Sequence, residues 1–113
     1  MLTIEKLRDF GADTEDGLKR CLDMEDFYLD LVKTSMDDSQ LNELAAALDA
    51  RDLNKAFECA HALKGVYANL SLTPLFKPVS EMTELLRSRT DTDYSGLLEQ
   101  TRSALARLKA LAE

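Results

Sequence analysis

A chain of 113 residues is long enough for one domain with a core of its own, and 45% hydrophobic residues against only four glycines and two prolines favour helices over a turn-rich β fold. The net charge of −7, from 21 acidic and 14 basic residues, argues against nucleic acid, whose binding rests on clustered Lys and Arg neutralising phosphates. No apolar run approaches the ~18 residues needed to span a bilayer, and the start lacks the basic-then-apolar pattern of a secretion signal, so no membrane partner is expected and the cytoplasm is the default.

Thr3 can cap a short helix over Ile4–Phe10 that Gly11 would end, with Ile4, Leu7 and Phe10 on one face as a lid across the bundle. A second helix begins after Asp13 or Thr14 and turns Leu18, Cys21 and Leu22 inward. Asp23 either interrupts it or bends it. Met24, Phe27, Tyr28, Leu31 and Val32 continue the apolar period to about Met36. Ser39 is the expected cap of the next helix, where Leu41, Leu44, Ala45 and Leu48 repeat at helical spacing. Ala50–Asp52 connects it to a helix running from Asp52 to Leu70. Thr73-Pro74 reads as a cap followed by proline at the first helical position; Leu75, Val79, Met82, Leu85 and Leu86 form an inward stripe, with Pro78 expected to tilt the first turn. After the polar loop Thr90–Asp93, a last helix runs from Ser95 to Ala112.

No strand-type alternation appears. Short loops between amphipathic helices predict an all-α fold, an antiparallel up-down four-helix bundle with a short additional N-terminal helix, in a single domain spanning 1–113. The acids gather at Asp13–Asp16, Asp23–Asp26, Asp37-Asp38 and Asp91–Asp93, where helices should begin and carboxylates suit the free amides and the dipole. Cys21 and Cys59 are too far apart in sequence for any C-x-x-C and read as reduced, packed thiols; no metal site is expected.

The helix over Asp52–Leu70 carries the only histidine in the chain. At 100° per residue, Leu53, Ala56, Ala60, Leu63, Tyr67 and Leu70 share one side, and His61 falls nearly opposite, among Asn54, Phe57, Gly65 and Ala68. A glycine inside a helix costs about 1 kcal/mol relative to alanine, so Gly65 needs a reason. One turn beyond an exposed imidazole it leaves a hollow beside the ring, and Lys64 at i+3 offers a cation. An exposed nucleophile with a neighbouring cation and cleared space suggests a phosphate acceptor.

The run Ala60–Leu70, A-H-A-L-K-G-V-Y-A-N-L, resembles the signature A-H-x-L-K-G-x-x-x-N-L-G of histidine-containing phosphotransfer (HPt) domains, and Arg51, Asp52, Leu53 and Ala56 fit the same family. The likeness extends more loosely over Met24–Arg89. Ser71 stands where the family usually has glycine, so a different turn is expected there.

The resemblance implies a phosphorelay carrier in two-component signalling. His61 would accept a phosphoryl group and exchange it with an aspartate of a response-regulator receiver domain, or receive it from a hybrid sensor histidine kinase. Lys64 would shield the phosphate charge, Gly65 would admit the partner, Ala68 would keep the patch low and Phe57 would offer an apolar contact. Thr83 is the best positional match for a polar side chain orienting the imidazole, with Glu84 the alternative, while Asn69 is read as making a structural bond near the helix end. The chain would need no cofactor of its own, Mg²⁺ being expected on the receiver, and would act as a monomer. It would not be an enzyme, since no phosphate-cradling G-x-x-x-x-G-K-[ST] loop is present. Two readings from other classes stay open: a helical adaptor docking on an unrelated face, and a histidine-dependent hydrolase, which the lack of a nearby Ser or Cys nucleophile with an orienting acid disfavours. A free-standing carrier is expected over a domain of a larger kinase.

Overall fold

Seven α-helices and no strand make up the computed structural model, which describes residues 1–113. Helix α1 (Ile4–Phe10) starts at Thr3, whose hydroxyl oxygen accepts the Lys6 amide at 3.1 Å, and stops where Gly11 turns left-handed at φ 111°. It buries Leu7 and Phe10 and lies against the last helix.

Of the two readings of Asp23, interruption is the correct one. Helix α2 (Thr14–Arg20) ends before it and α3 (Glu25–Ser35) begins after it, with Leu22 and Asp23 both left-handed at φ 58° and 59°. Cys21 stays buried, but the reversal throws Leu22 outward: expected in the core, it is 81% exposed. Along α3 only Tyr28 and Val32 are buried, while Met24, Phe27 and Leu31 face solvent.

Helix α4 (Ser39–Asp49) corrects the expected cap. Ser39 is its first residue, and Asp37 Oδ1 accepts both the Ser39 amide at 2.9 Å and the Ser39 hydroxyl at 2.5 Å. A carboxylate is the stronger acceptor for such a donor pair, so it displaces serine from the capping role. Thr73 is likewise the first residue of α6 (Thr73–Arg87) and makes no side-chain cap. Pro74 sits in that helix's first turn, and the helix runs on through Pro78, whose ring is buried. The amide Pro78 lacks would have met the carbonyl of Pro74, within the first turn or so, where the loss is least disruptive.

Helix α5 (Leu53–Asn69) is the central element. The Asp52 carboxylate caps it by accepting the Lys55 amide at 3.1 Å. Ala56, Cys59, Ala60, Leu63 and Tyr67 are buried along one side, with Leu70 just beyond; Cys59 is added to the expected stripe and Leu53 is only partly buried. The turn after it keeps the form a glycine would give: Ser71 adopts φ 55°, its amide meets the Ala68 carbonyl at 3.1 Å and the Leu72 amide meets the Tyr67 carbonyl at 3.0 Å. The expectation of a different turn is therefore corrected, and the compensation is visible. The Ser71 hydroxyl donates to Asp16 Oδ2 at 2.5 Å and its carbonyl accepts the Asp13 amide at 3.0 Å.

Helix α5 lies between α4 and α6, and α6 packs in turn on α7 (Ser95–Leu111). Arg102 and Lys109 on α7 reach back to Asn42 and Asp38 at α4, at 3.1 and 3.2 Å. One cluster of 25 buried apolar residues, with members from every helix but α2, fills the interior, and Leu18 of α2 packs against it. With α4 and α6 on its flanks, α5 turns its His61 side outward, and Ala62 and Val66 are exposed as well. No helix is long and apolar enough to cross a membrane.

Candidate functional site

His61 projects from the middle of α5 and is exposed. Its imidazole stacks on Phe57, one turn earlier, with ring centroids 5.6 Å apart and planes 15° from parallel. The i, i+4 spacing brings the rings together, and Phe57 is half-buried, so it holds the imidazole from one side without covering it. Gly65 follows one turn later. A Cβ there would meet no atom within 4 Å, so packing against another helix is not why the position is glycine. The space it leaves opens to solvent beside the imidazole.

Charge is concentrated around this stack. Lys64, three residues after His61, lies 3.3 Å from Glu84 Oε2 of α6, and Arg87 Nε approaches Glu84 Oε1 at 3.4 Å. Hydrogen bonds from Arg87 first and Lys64 second hold the Glu84 carboxyl below the usual glutamate range. Arg87 and Arg89 both place guanidinium carbons over the Phe57 ring, 5.2 and 4.9 Å from its centroid. Arg89 is pinned: its Nε donates to Asn54 Oδ1 at 2.6 Å and its Nη1 to the Leu86 carbonyl at 2.6 Å. The left-handed backbone of Arg89, φ 53°, turns its side chain back over α5 from the end of α6.

Of the sequence-predicted residues, the structure brings His61, Phe57, Lys64, Gly65 and Ala68 to one face of α5, Ala68 half-buried at its end. It does not bring Thr83. That side chain is fully buried and its hydroxyl donates to the Val79 carbonyl at 2.7 Å, one turn back on its own helix, because a threonine on the inner side of α6 has no route to the exposed imidazole. Glu84, the alternative, bonds Lys64 rather than His61. Asn69 is exposed, and the structural bond expected of its side chain is not formed. Spacing along α5 missed Arg87 and Arg89; the available signal was a basic pair two residues apart at the end of the next helix, in an otherwise acidic chain. No group of three His, Cys, Asp or Glu side chains is placed to hold a metal ion.

No curated protein and no solved structure gives a significant match to this chain. The family model of the Hpt domain, however, matches residues 26–111, well over half of the sequence, from the start of α3 to the end of α7. An exposed histidine on a helix of an all-helical bundle, flanked by a lysine and a glycine that has no packing role, accords with that match, and the chain belongs to the HPt family of histidine phosphotransfer domains that carry phosphoryl groups in phosphorelay signalling.

Proposed function

We propose that His61 is the phosphoacceptor of this domain and exchanges its phosphoryl group with an aspartate of a receiver domain. The observation that carries the reading is the exposed imidazole stacked on Phe57 beside a glycine with open space around it. A receiver's acyl phosphate would be attacked by the neutral imidazole, through Nε2. The N–P bond forms as the P–O bond to the aspartyl carboxylate breaks, the bonding pair leaves with that carboxylate, and Nδ1 keeps its proton. Reversal delivers the group to an aspartate of another receiver.

Such transfer asks for in-line positioning and charge neutralisation more than for a protein base. Lys64 supplies a cation within one turn of His61, Gly65 and Ala68 keep the approach low, and Phe57 fixes the ring and offers an apolar edge. A divalent cation would come with the receiver. The chain would neither bind ATP nor phosphorylate itself.

In this reading residues 1–113 act as one domain and as a monomer. Helices α4 to α7 form the antiparallel up-and-down bundle, which the sequential packing of α4, α5, α6 and α7 and the return of Arg102 and Lys109 to α4 support. Helices α1 to α3 are added to it, with α1 as the short N-terminal helix. The two unpaired, buried cysteines suit a reducing compartment, the cytoplasm.

The reading is tested by mixing the protein with a phosphorylated receiver. Label that is acid-labile and base-stable on wild type, and none on His61→Gln, is the expected result. Equal labelling of both would place the phosphate on another residue, and no label on either would leave a phosphate-free helical adaptor docking elsewhere.

A further inference from the structure

We infer that Asn54 is a positioning residue for His61, acting on the imidazole through Arg89 and Phe57. The inference rests on His61 as acceptor and concerns what holds its ring ready for in-line transfer. Every link is close: Asn54 Oδ1 accepts from Arg89 Nε at 2.6 Å, the Arg89 guanidinium carbon lies 4.9 Å from the Phe57 centroid, and the Phe57 and His61 rings stack at 5.6 Å, 15° from parallel. Asn54 stands seven residues before His61, about 10 Å away along the helix axis, so it reaches the imidazole only through the other two.

The imidazole takes its orientation from Phe57. Neither Thr83 nor Glu84 of α6 serves it, since Thr83 bonds its own helix and Glu84 bonds Lys64. Phe57 is half-buried, and an aromatic ring at a helix surface has more than one staggered rotamer open to it. A guanidinium fixed over the ring selects among them, because the electron-rich face attracts a cation within about 6 Å of its centroid.

Arg89 is the better fixed of the two guanidinium groups over that ring. Its Nε is engaged by Asn54 and its Nη1 by the Leu86 carbonyl, at 2.6 Å each, whereas Arg87 meets Glu84 at 3.4 and 3.5 Å. The two bonds differ in what they tie together. The Leu86 carbonyl belongs to α6, but Asn54 belongs to α5, one turn before Phe57 and on the same face. The contacts from Asn54 to Arg89, Phe57 and His61 therefore begin and end on α5, so the guanidinium keeps its place relative to the helix that carries both rings. The plainer alternative is that the Asn54–Arg89 bond only ties α5 to the end of α6.

The experiment reads the imidazole directly. The chain has one histidine, so its two carbon-bound ring protons can be followed in a proton spectrum, where a stacked phenyl ring shifts them upfield. Phe57→Leu defines their position without that ring. Asn54→Ala is expected to move them towards it, and to slow transfer from a saturating phosphorylated receiver about tenfold with KM unchanged. Asn54→Asp keeps the acceptor and is expected to keep the wild-type shifts and rate. Arg89→Lys keeps the charge but loses the planar donor fork, and is expected to resemble Asn54→Ala. Asn42→Ala breaks a bond of the same kind, from Arg102 at 3.1 Å, and is expected to change neither readout. Imidazole shifts in Asn54→Ala no different from those in Asn42→Ala overturn the proposal. A wild-type rate in Arg89→Lys overturns it too, since charge alone would then be what Arg89 contributes. Neither result bears on His61 as acceptor, which His61→Gln decides.

Discussion

At Gly65 the two reasons for a helix-interior glycine separate. A Cβ there meets nothing within 4 Å, so the ~1 kcal/mol that glycine costs the helix is not recovered through packing. Gly65→Arg is therefore expected to melt no lower than wild type while its transfer from a phosphorylated receiver falls at least about tenfold, equivalent to ~1.4 kcal/mol of barrier. Transfer at the wild-type rate would defeat the docking argument. Lys64→Ala should slow transfer without abolishing it, and an unchanged rate would remove its electrostatic role. The two most buried tyrosines give a second pair of outcomes with opposite signs. Burial pushes both the Tyr28 and Tyr67 phenols up to about 12, so both are neutral donors at any physiological pH. Tyr28 donates to the Leu70 carbonyl at 2.8 Å, whereas the Tyr67 hydroxyl has no partner. Tyr28→Phe is expected to cost about 1 kcal/mol in chemical denaturation and Tyr67→Phe to be neutral or stabilising by a similar amount. Equal losses in both would contradict this assignment of their hydrogen bonds.

Among the elements, helix boundaries were legible to within a residue or two, but the residues that close the helices were not. Thr3, Asp13 and Asp52 cap α1, α2 and α5 with their side chains, and each stands where an N-terminus was expected. At the C-termini only α1 uses the glycine that marks an end in sequence. Helices α2, α4, α5 and α6 instead run into left-handed Leu22, Arg51, Ser71 and Arg89, each unfavourable by about 1–2 kcal/mol for a residue with a side chain. Arg51 and Arg89 have side-chain partners elsewhere in the fold, Asp91 and Asn54, whereas Leu22 is 81% exposed. For Ser71 the partner is Asp16, whose carboxyl is held below the usual aspartate range by the Ser71 hydroxyl first and by Arg20 second. A lowered folded-state value means that this stabilisation is present above the ordinary aspartate pKa of about 4 and is lost as pH falls below it. Ser71→Ala keeps the strained backbone but loses the bond, so it should be less stable than wild type near neutral pH. The gap should close in melts below about pH 4. A gap that is constant with pH would show that Asp16 is not the partner that matters.

For the molecule as a whole, α5 was readable because its apolar stripe, its cap and its His61 face all lie within one stretch of 17 residues. Arg87 and Arg89 were not readable, because their contact with Phe57 depends on how α6 sits against α5, and spacing along one helix does not carry that register. The same limit misplaced Thr83, which faces the core rather than the imidazole. Helix α2 precedes the family match, yet it is tied to the last turn of α5, where Ser71 meets Asp13 and Asp16, and to α3, where Gly17 lies so close to Tyr28 that a Cβ would fall 2.5 Å from its ring. It braces the end of the helix that carries the histidine. Because the chain has one histidine, the central claim can be read from a single spectrum. A long-range ¹H–¹⁵N correlation of the imidazole, recorded before and after phosphorylation, should show the Nε2 resonance move to that of a phosphorylated nitrogen while Nδ1 remains protonated. An imidazole spectrum unchanged in protein that carries phosphate would contradict the account.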